Sequence, residues 1–300
     1  MSWIQFALLS TFFLGCYNLS VKRAVHDNAV LPVLFFANVF SAALWLTLMG
    51  ATKFNLTSLY IPEALRPDAI SAIQHLQMLA KAFIVGTIWM LIYSGVKQLP
   101  VSIAAPILST NPLWMLMGAV IVLGERLSAL QWLGVAVTMG AFVLLSLVGA
   151  KEGVNFFRNP AIWLLFGGVI LAAPSGIYDK WLLADAGFTA ATLQAWFSIY
   201  LALLLCPIAI GWKLRWWPRK TFKWRWSILL VSAFLLASDF FFFQALRSPE
   251  GLLSVVSSIK RGEVLVTFTG GILLFHEKNV YRKLPIIIAL LAGIVITLLG

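Results

Sequence analysis

Ten runs of mostly apolar residues follow one another along this chain, and they limit what it can fold into. They cover residues 3–21, 30–50, 82–96, 101–123, 127–148, 161–178, 190–211, 226–246, 252–275 and 284–299. A helix of about 20 apolar residues spans the hydrocarbon of a bilayer, and that hydrocarbon offers an open backbone no hydrogen-bond partner. The chain therefore reads as an all-α membrane protein with ten transmembrane helices, multi-pass in the cell (inner/cytoplasmic) membrane. A membrane β-barrel is excluded, because its strands alternate apolar and polar side chains. Charged residues make up 11% of the chain, less than half the roughly 25% of a soluble domain.

The net charge of +11 would suggest nucleic acid as a partner in a soluble protein. Here most basic residues flank apolar runs, so no nucleic-acid partner is expected and the lipid bilayer takes that place. Cys16 and Cys206 lie inside apolar runs and read as structural thiols. Met1-Ser2-Trp3 lacks a basic leader, and Lys22-Arg23 follow the first apolar run, so no cleavable signal is expected.

The chain carries an internal repeat. Leu123-Gly124-Glu125-Arg126-Leu127-Ser128 is similar to Phe275-His276-Glu277-Lys278-Asn279-Val280, and each segment precedes a last helix with small residues, Gly140-Ala141 and Ala292-Gly293. Glu125 and Glu277 are 152 positions apart, and Lys22 and Lys180, which close the opening helix of each half, are 158 apart. Two five-helix halves follow, residues 1–150 and 151–300. An odd number of spans per half makes them an inverted repeat, the plan of many secondary transporters.

On these residues the chain resembles the drug/metabolite transporter superfamily, in particular its ten-helix EamA-type members. The resemblance rests on Gly124-Glu125-Arg126, on His276-Glu277-Lys278 and on the small-residue helix after each, and it extends over nearly the whole chain. It implies a substrate pathway between the halves, lined by the first, third, fourth, sixth, eighth and ninth helices. His276 stands where the family's second turn has glycine.

Fourteen Lys and Arg residues fall in odd-numbered connections and six, including Lys81 and Lys180, in even-numbered ones. Positive-inside reasoning puts the odd connections in the cytoplasm and both termini outside, whereas the resemblance implies termini inside.

Ionic residues within the apolar runs are the candidates for function. In the ninth run, thirteen apolar residues favour insertion by about 4–8 kcal/mol, while Lys260, Arg261 and Glu263 oppose it by about 2.5–3.5 kcal/mol each. Such a helix turns its charges into the bundle. Lys260 and Glu263 are i,i+3 neighbours and can pair on one face. Asp239 in the eighth run lies at a similar depth and is a second acid for Lys260 or Arg261. If Asp239 satisfies Lys260, Arg261 can clamp a carboxylate or phosphate. The alternative is a closed structural network of two cations and two acids.

Further candidates for substrate binding are the amides of Asn18 and Asn111 and the i,i+4 aromatic pair Trp89 and Tyr93. For these, interhelical hydrogen bonds and ordinary packing are the competing roles. Asn38 falls in the same class. Glu125 and Glu277 read as caps or surface pairs that hold the turns.

The expected activity is secondary transport of a small polar, anionic metabolite (an amino acid, an organic acid or a phosphorylated compound) by rocking of the two halves. A proton carried on Asp239 or Glu263 is the candidate coupling partner. A flippase for a lipid-linked anion would use the same cations. Enzyme chemistry is disfavoured: His26, His75 and His276 are isolated, and no HExxH, Ser elbow, metal-ligand spacing or cofactor motif occurs. The expected assembly is a monomer or homodimer.

Overall fold

A computed structural model of the protein describes residues 2–54, 61–99, 107–108, 110–147, 159–216, 221–275 and 280–299, apart from the side chains at positions 93, 97, 142, 145–147, 272, 275 and 280–283. Among the described residues the chain is all-helical. The helices are α1 (Trp3–Val25), α2 (Val30–Lys53), α3 (Ala72–Gln98), α4 (Asn111–Val122), α5 (Ala129–Leu147), α6 (Pro160–Ala184), α7 (Ala190–Lys213), α8 (Ser227–Arg247), α9 (Leu253–Lys260), α10 (Glu263–Phe275) and α11 (Val280–Leu299), with a single 3-10 turn at Glu63–Leu65. Six of them, α1, α2, α3, α6, α7 and α8, are long and apolar enough to cross a membrane, and shorter apolar helices accompany them. This is a multi-pass membrane protein. The junction between the expected halves falls at 148–158, outside the described residues.

Several helices run past their apolar runs. The third begins at Ala72, where the Ser71 hydroxyl accepts from Gln74 N and the Gln74 side chain returns a bond to Ser71 N. This reciprocal cap adds ten residues before position 82. The sixth continues to Ala184. Lys81 and Lys180 are therefore helical residues and not loop residues.

The ninth run is two helices and not one. Backbone bonds shorten to i→i−3 at the junction, with Arg261 N donating to Ser258 O and Gly262 N to Ile259 O. The Ile259 carbonyl also accepts from Thr11 Oγ1 of α1 at 3.1 Å. A side chain at Gly262 would press on Ile259 O, Ile294 and Thr11, so the turn is packed on both sides.

The main packing joins helices from opposite ends of the sequence: α1 lies on α8 and α10, α3 on α6 and α7, α2 on α7 and α8, α4 on α6 and α9, and α5 on α11. The last pair touches through Gly134 and Gly293, where an added Cβ would fall 2.7 Å and 3.0 Å from the other glycine's carbonyl oxygen. Gly134→Leu should force α5 from α11 and cost about 1–3 kcal/mol by thermal unfolding in detergent. Gly140→Leu, with nothing near its Cβ position, should leave stability within about 0.5 kcal/mol.

Candidate functional site

The α9–α10 turn sits beside α8 and α1, and it sets the direction of three charged side chains. Lys260 ends α9, Arg261 occupies the turn and Glu263 opens α10. Lys260 Nζ lies 3.9 Å from Asp239 Oδ1 on α8, and Arg261 Nη1 lies 3.8 Å from Glu263 Oε1. Of the two acids open to Lys260, it meets Asp239 and not Glu263, because the turn replaces the continuous helix on which i,i+3 neighbours share a face. The second cation therefore has an acid of its own in Glu263. These are loose contacts, longer than charge-assisted hydrogen bonds of about 2.7–2.9 Å. The four side chains keep between 12% and 24% exposure.

Asn18 on α1 hydrogen-bonds Glu263. The second Glu263 oxygen, Oε2, and Thr267 Oγ1 one turn further along α10 are buried without a hydrogen-bond partner, as is Asn111 Oδ1 at the start of α4. Buried polar oxygens of this kind are completed by water or by a polar ligand.

Facing this group is an ion pair absent from the sequence expectations. Lys81 of α3 donates to Asp179 of α6, and both are almost fully buried. The Lys81 ammonium lies 4.6 Å from the Phe197 ring centre and 5.2 Å from that of Phe243, while Lys260 lies 4.1 Å from that of Phe242. Asp239 interacts electrostatically with Lys81 and Asp179 as well as with Lys260, and Asp179 with Lys260. The interior thus holds Lys81, Lys260 and Arg261 balanced by Asp179, Asp239 and Glu263, beside aromatic faces. This arrangement can exchange one ionic partner for another without a net charge being stranded in low dielectric.

The remaining predicted residues are scattered. Trp89 lines an apolar groove with Leu31, Leu34, Phe35, Leu205 and Ile208 between α2, α3 and α7. The Tyr93 side chain lies outside the described residues, as does the turn carrying His276, Glu277 and Lys278. Asn38 donates to Leu34 O one turn back, a local bond. Among the described residues no group of three or more His, Cys, Asp or Glu is assembled to hold a metal ion.

Glu125 does cap, but its target lies in the other half of the chain. Its carboxylate accepts from Leu253 N at 2.6 Å, Ser254 N at 3.1 Å and Ser254 Oγ at 2.5 Å, closing the N-terminus of α9. Sequence reasoning missed Lys81 and Asp179 because both lay at the margins of apolar runs. The usable signal was Ser71-x-x-Gln74, a helix start that carries Lys81 nine residues into α3.

Residues 1–147 match the sequence profile of the EamA-like transporter family. No protein with a curated description matches the chain. A solved structure titled only "Crystal structure of protein" is similar with a TM-score of 0.69 over 98% of this chain and 94% of its own, at 11% identity. At that identity the likeness shows a shared fold alone.

Proposed function

We propose that the chain, whose residues 1–147 match the EamA-like transporter family, is a secondary transporter. It moves a small polar metabolite bearing an anionic group across the cell's cytoplasmic (inner) membrane by alternating access. The observation that carries this reading is the group of loosely paired ionic side chains at the α9–α10 break, partly exposed and beside unsatisfied buried oxygens. Ionisable groups within a membrane bundle serve substrate or ion pathways by default, and broken helices are where such pathways bind their solutes. Arg261 and Lys260 would receive the anionic group, with Asn18 and Asn111 as candidate polar contacts. Asp239 and Glu263, relieved of their cations, would accept the coupling proton.

The proposed architecture is ten spans in two inverted halves, 1–150 and 151–300. The packing supports it: exchanging the halves turns α1 on α8 into α6 on α3, and α3 on α7 into α8 on α2. The same packing supports a different division into moving bodies. Because α1 packs on α8 and α3 on α6, helices of the two sequence halves interlock, and this favours bodies that cross the halves. The moving bodies are instead α1, α2, α8, α9 and α10 on one side and α3, α4, α6 and α7 on the other.

A thermal-shift screen of detergent-solubilised protein against water-soluble metabolites tests this reading. A stabilising anionic solute should be found, its shift lost in Arg261→Ala and kept in Asn38→Ala. Failure of every soluble metabolite to shift the protein, together with lipid scrambling in liposomes, would replace the solute transporter with a flippase.

A further inference from the structure

Two side chains bridge the crossed bodies at the end of the bundle that carries the 248–252 turn. Lys180 of α6 donates from Nζ to Leu246 O at 2.8 Å, Ser248 O at 3.1 Å and Gly251 O at 2.8 Å, the last carbonyls of α8 and the turn into α9. Glu125, just beyond α4, closes the first backbone N–H groups of α9 with the three bonds described above. Within a membrane protein the end of a helix must find partners for its unpaired carbonyls and N–H groups. A cation suits the first and an anion the second. Here both caps come from the opposite body, so the α8–α9 turn is fully satisfied only while the bodies meet at this end.

A second observation agrees. At this end α6 packs on α8, while among the described residues no packing of comparable extent joins α1 and α3, the pair that exchange of the halves would match to it. The turn itself leaves no slack, since a Cβ on Gly251 would overlap the Ala245 carbonyl.

From this geometry we infer that Lys180 and Glu125 form the latch that holds the transporter closed at the 248–252 end. Opening this end detaches Lys180 from the three carbonyls and Glu125 from the α9 N-terminus, and water then takes their place. Lys180 and Glu125 are also the residues that marked the sequence repeat. Lys22, the counterpart of Lys180 by the 158-residue offset, lies exposed in the last turn of α1 at the other end. The latch rests on the alternating-access reading above, and it gives the turn motif a working part in the cycle.

The test measures a distance and needs no substrate. Spin labels are placed at Ile73→Cys on α3 and Glu250→Cys on the α8–α9 turn, both exposed and on opposite bodies, in a Cys16→Ala, Cys206→Ala background. Pulsed-dipolar spectroscopy on protein in nanodiscs should give a short distance that dominates in the parent. Lys180→Met and Glu125→Gln should each raise the longer, open population relative to the closed one, on the order of tenfold, as expected for losing charged hydrogen bonds. Glu125→Gln keeps an acceptor oxygen, so it carries the test if Lys180→Met does not fold. Unchanged distances in the folded variants overturn the latch even if the protein transports solute. Lengthened distances in a protein that moves no solute uphold the latch and remove the transporter reading.

Discussion

Lys81→Met should destabilise the detergent-solubilised protein by about 3–5 kcal/mol, the usual result of removing one partner from a buried ion pair. Lys81 is 2% exposed, and its ammonium serves Asp179 between two phenylalanine rings. Methionine keeps the stem and can rest its sulfur on the same rings, so lost packing contributes little. The cost comes from the Asp179 carboxylate left without its cation. Adding Asp179→Asn should therefore recover at least about 2 kcal/mol of the loss, against additivity. Thermal or denaturant unfolding of the two single variants and the double variant measures this coupling. Additive losses would show that the pair is not the source of the stability, and would return Lys81 to the lipid boundary that its position beside an apolar run suggested.

The second large effect is on transport. Arg261→Ala and Lys260→Met should each lower solute-driven uptake into liposomes by on the order of a hundredfold, corresponding to about 3 kcal/mol for a desolvated charge contact. Asn38→Ala should stay within about twofold, because its amide bonds only its own helix. In the same liposomes Asp239→Asn combined with Glu263→Gln should abolish proton uptake accompanying the solute. If proton uptake and transport both survive that double substitution, neither acid is the coupling group. If Arg261→Ala leaves uptake intact, the α9–α10 break is a structural feature and the solute passes elsewhere.

The two predictions separate what was legible in the sequence from what was not. Lys260, Arg261, Glu263 and Asp239 could be named because each interrupts a long apolar run, and the insertion cost of a charge is local. Their partners could not be assigned. A pairing on one helix assumes an unbroken spiral, and Gly262 breaks it with help from Thr11, a residue about 250 positions away in sequence. Lys81 and Asp179 escaped notice for a related reason. Hydropathy locates the apolar middle of a helix, whereas the Ser71–Gln74 cap that brings Lys81 inside begins in a polar stretch. Trp89 and Tyr93 were chosen by spacing, which gives a shared helix face and leaves open what that face meets. Trp89 meets an apolar groove.

Glu125 was read as a cap from its turn, and it is one, but of α9. The proposed repeat rests on matched offsets. That its halves interlock, with α1 on α8 and α3 on α6, required the packed bundle.

By itself the sequence determined that the chain is a helical membrane protein with charges inside its ninth apolar run. The reason is that transfer of apolar and ionic groups from water to hydrocarbon is large, local and close to additive along the chain. Only the tertiary structure decided which cation meets which acid, which helix end each cap serves and which helices pack together. Those depend on the rotation and start of every helix at once, and no single segment carries that information.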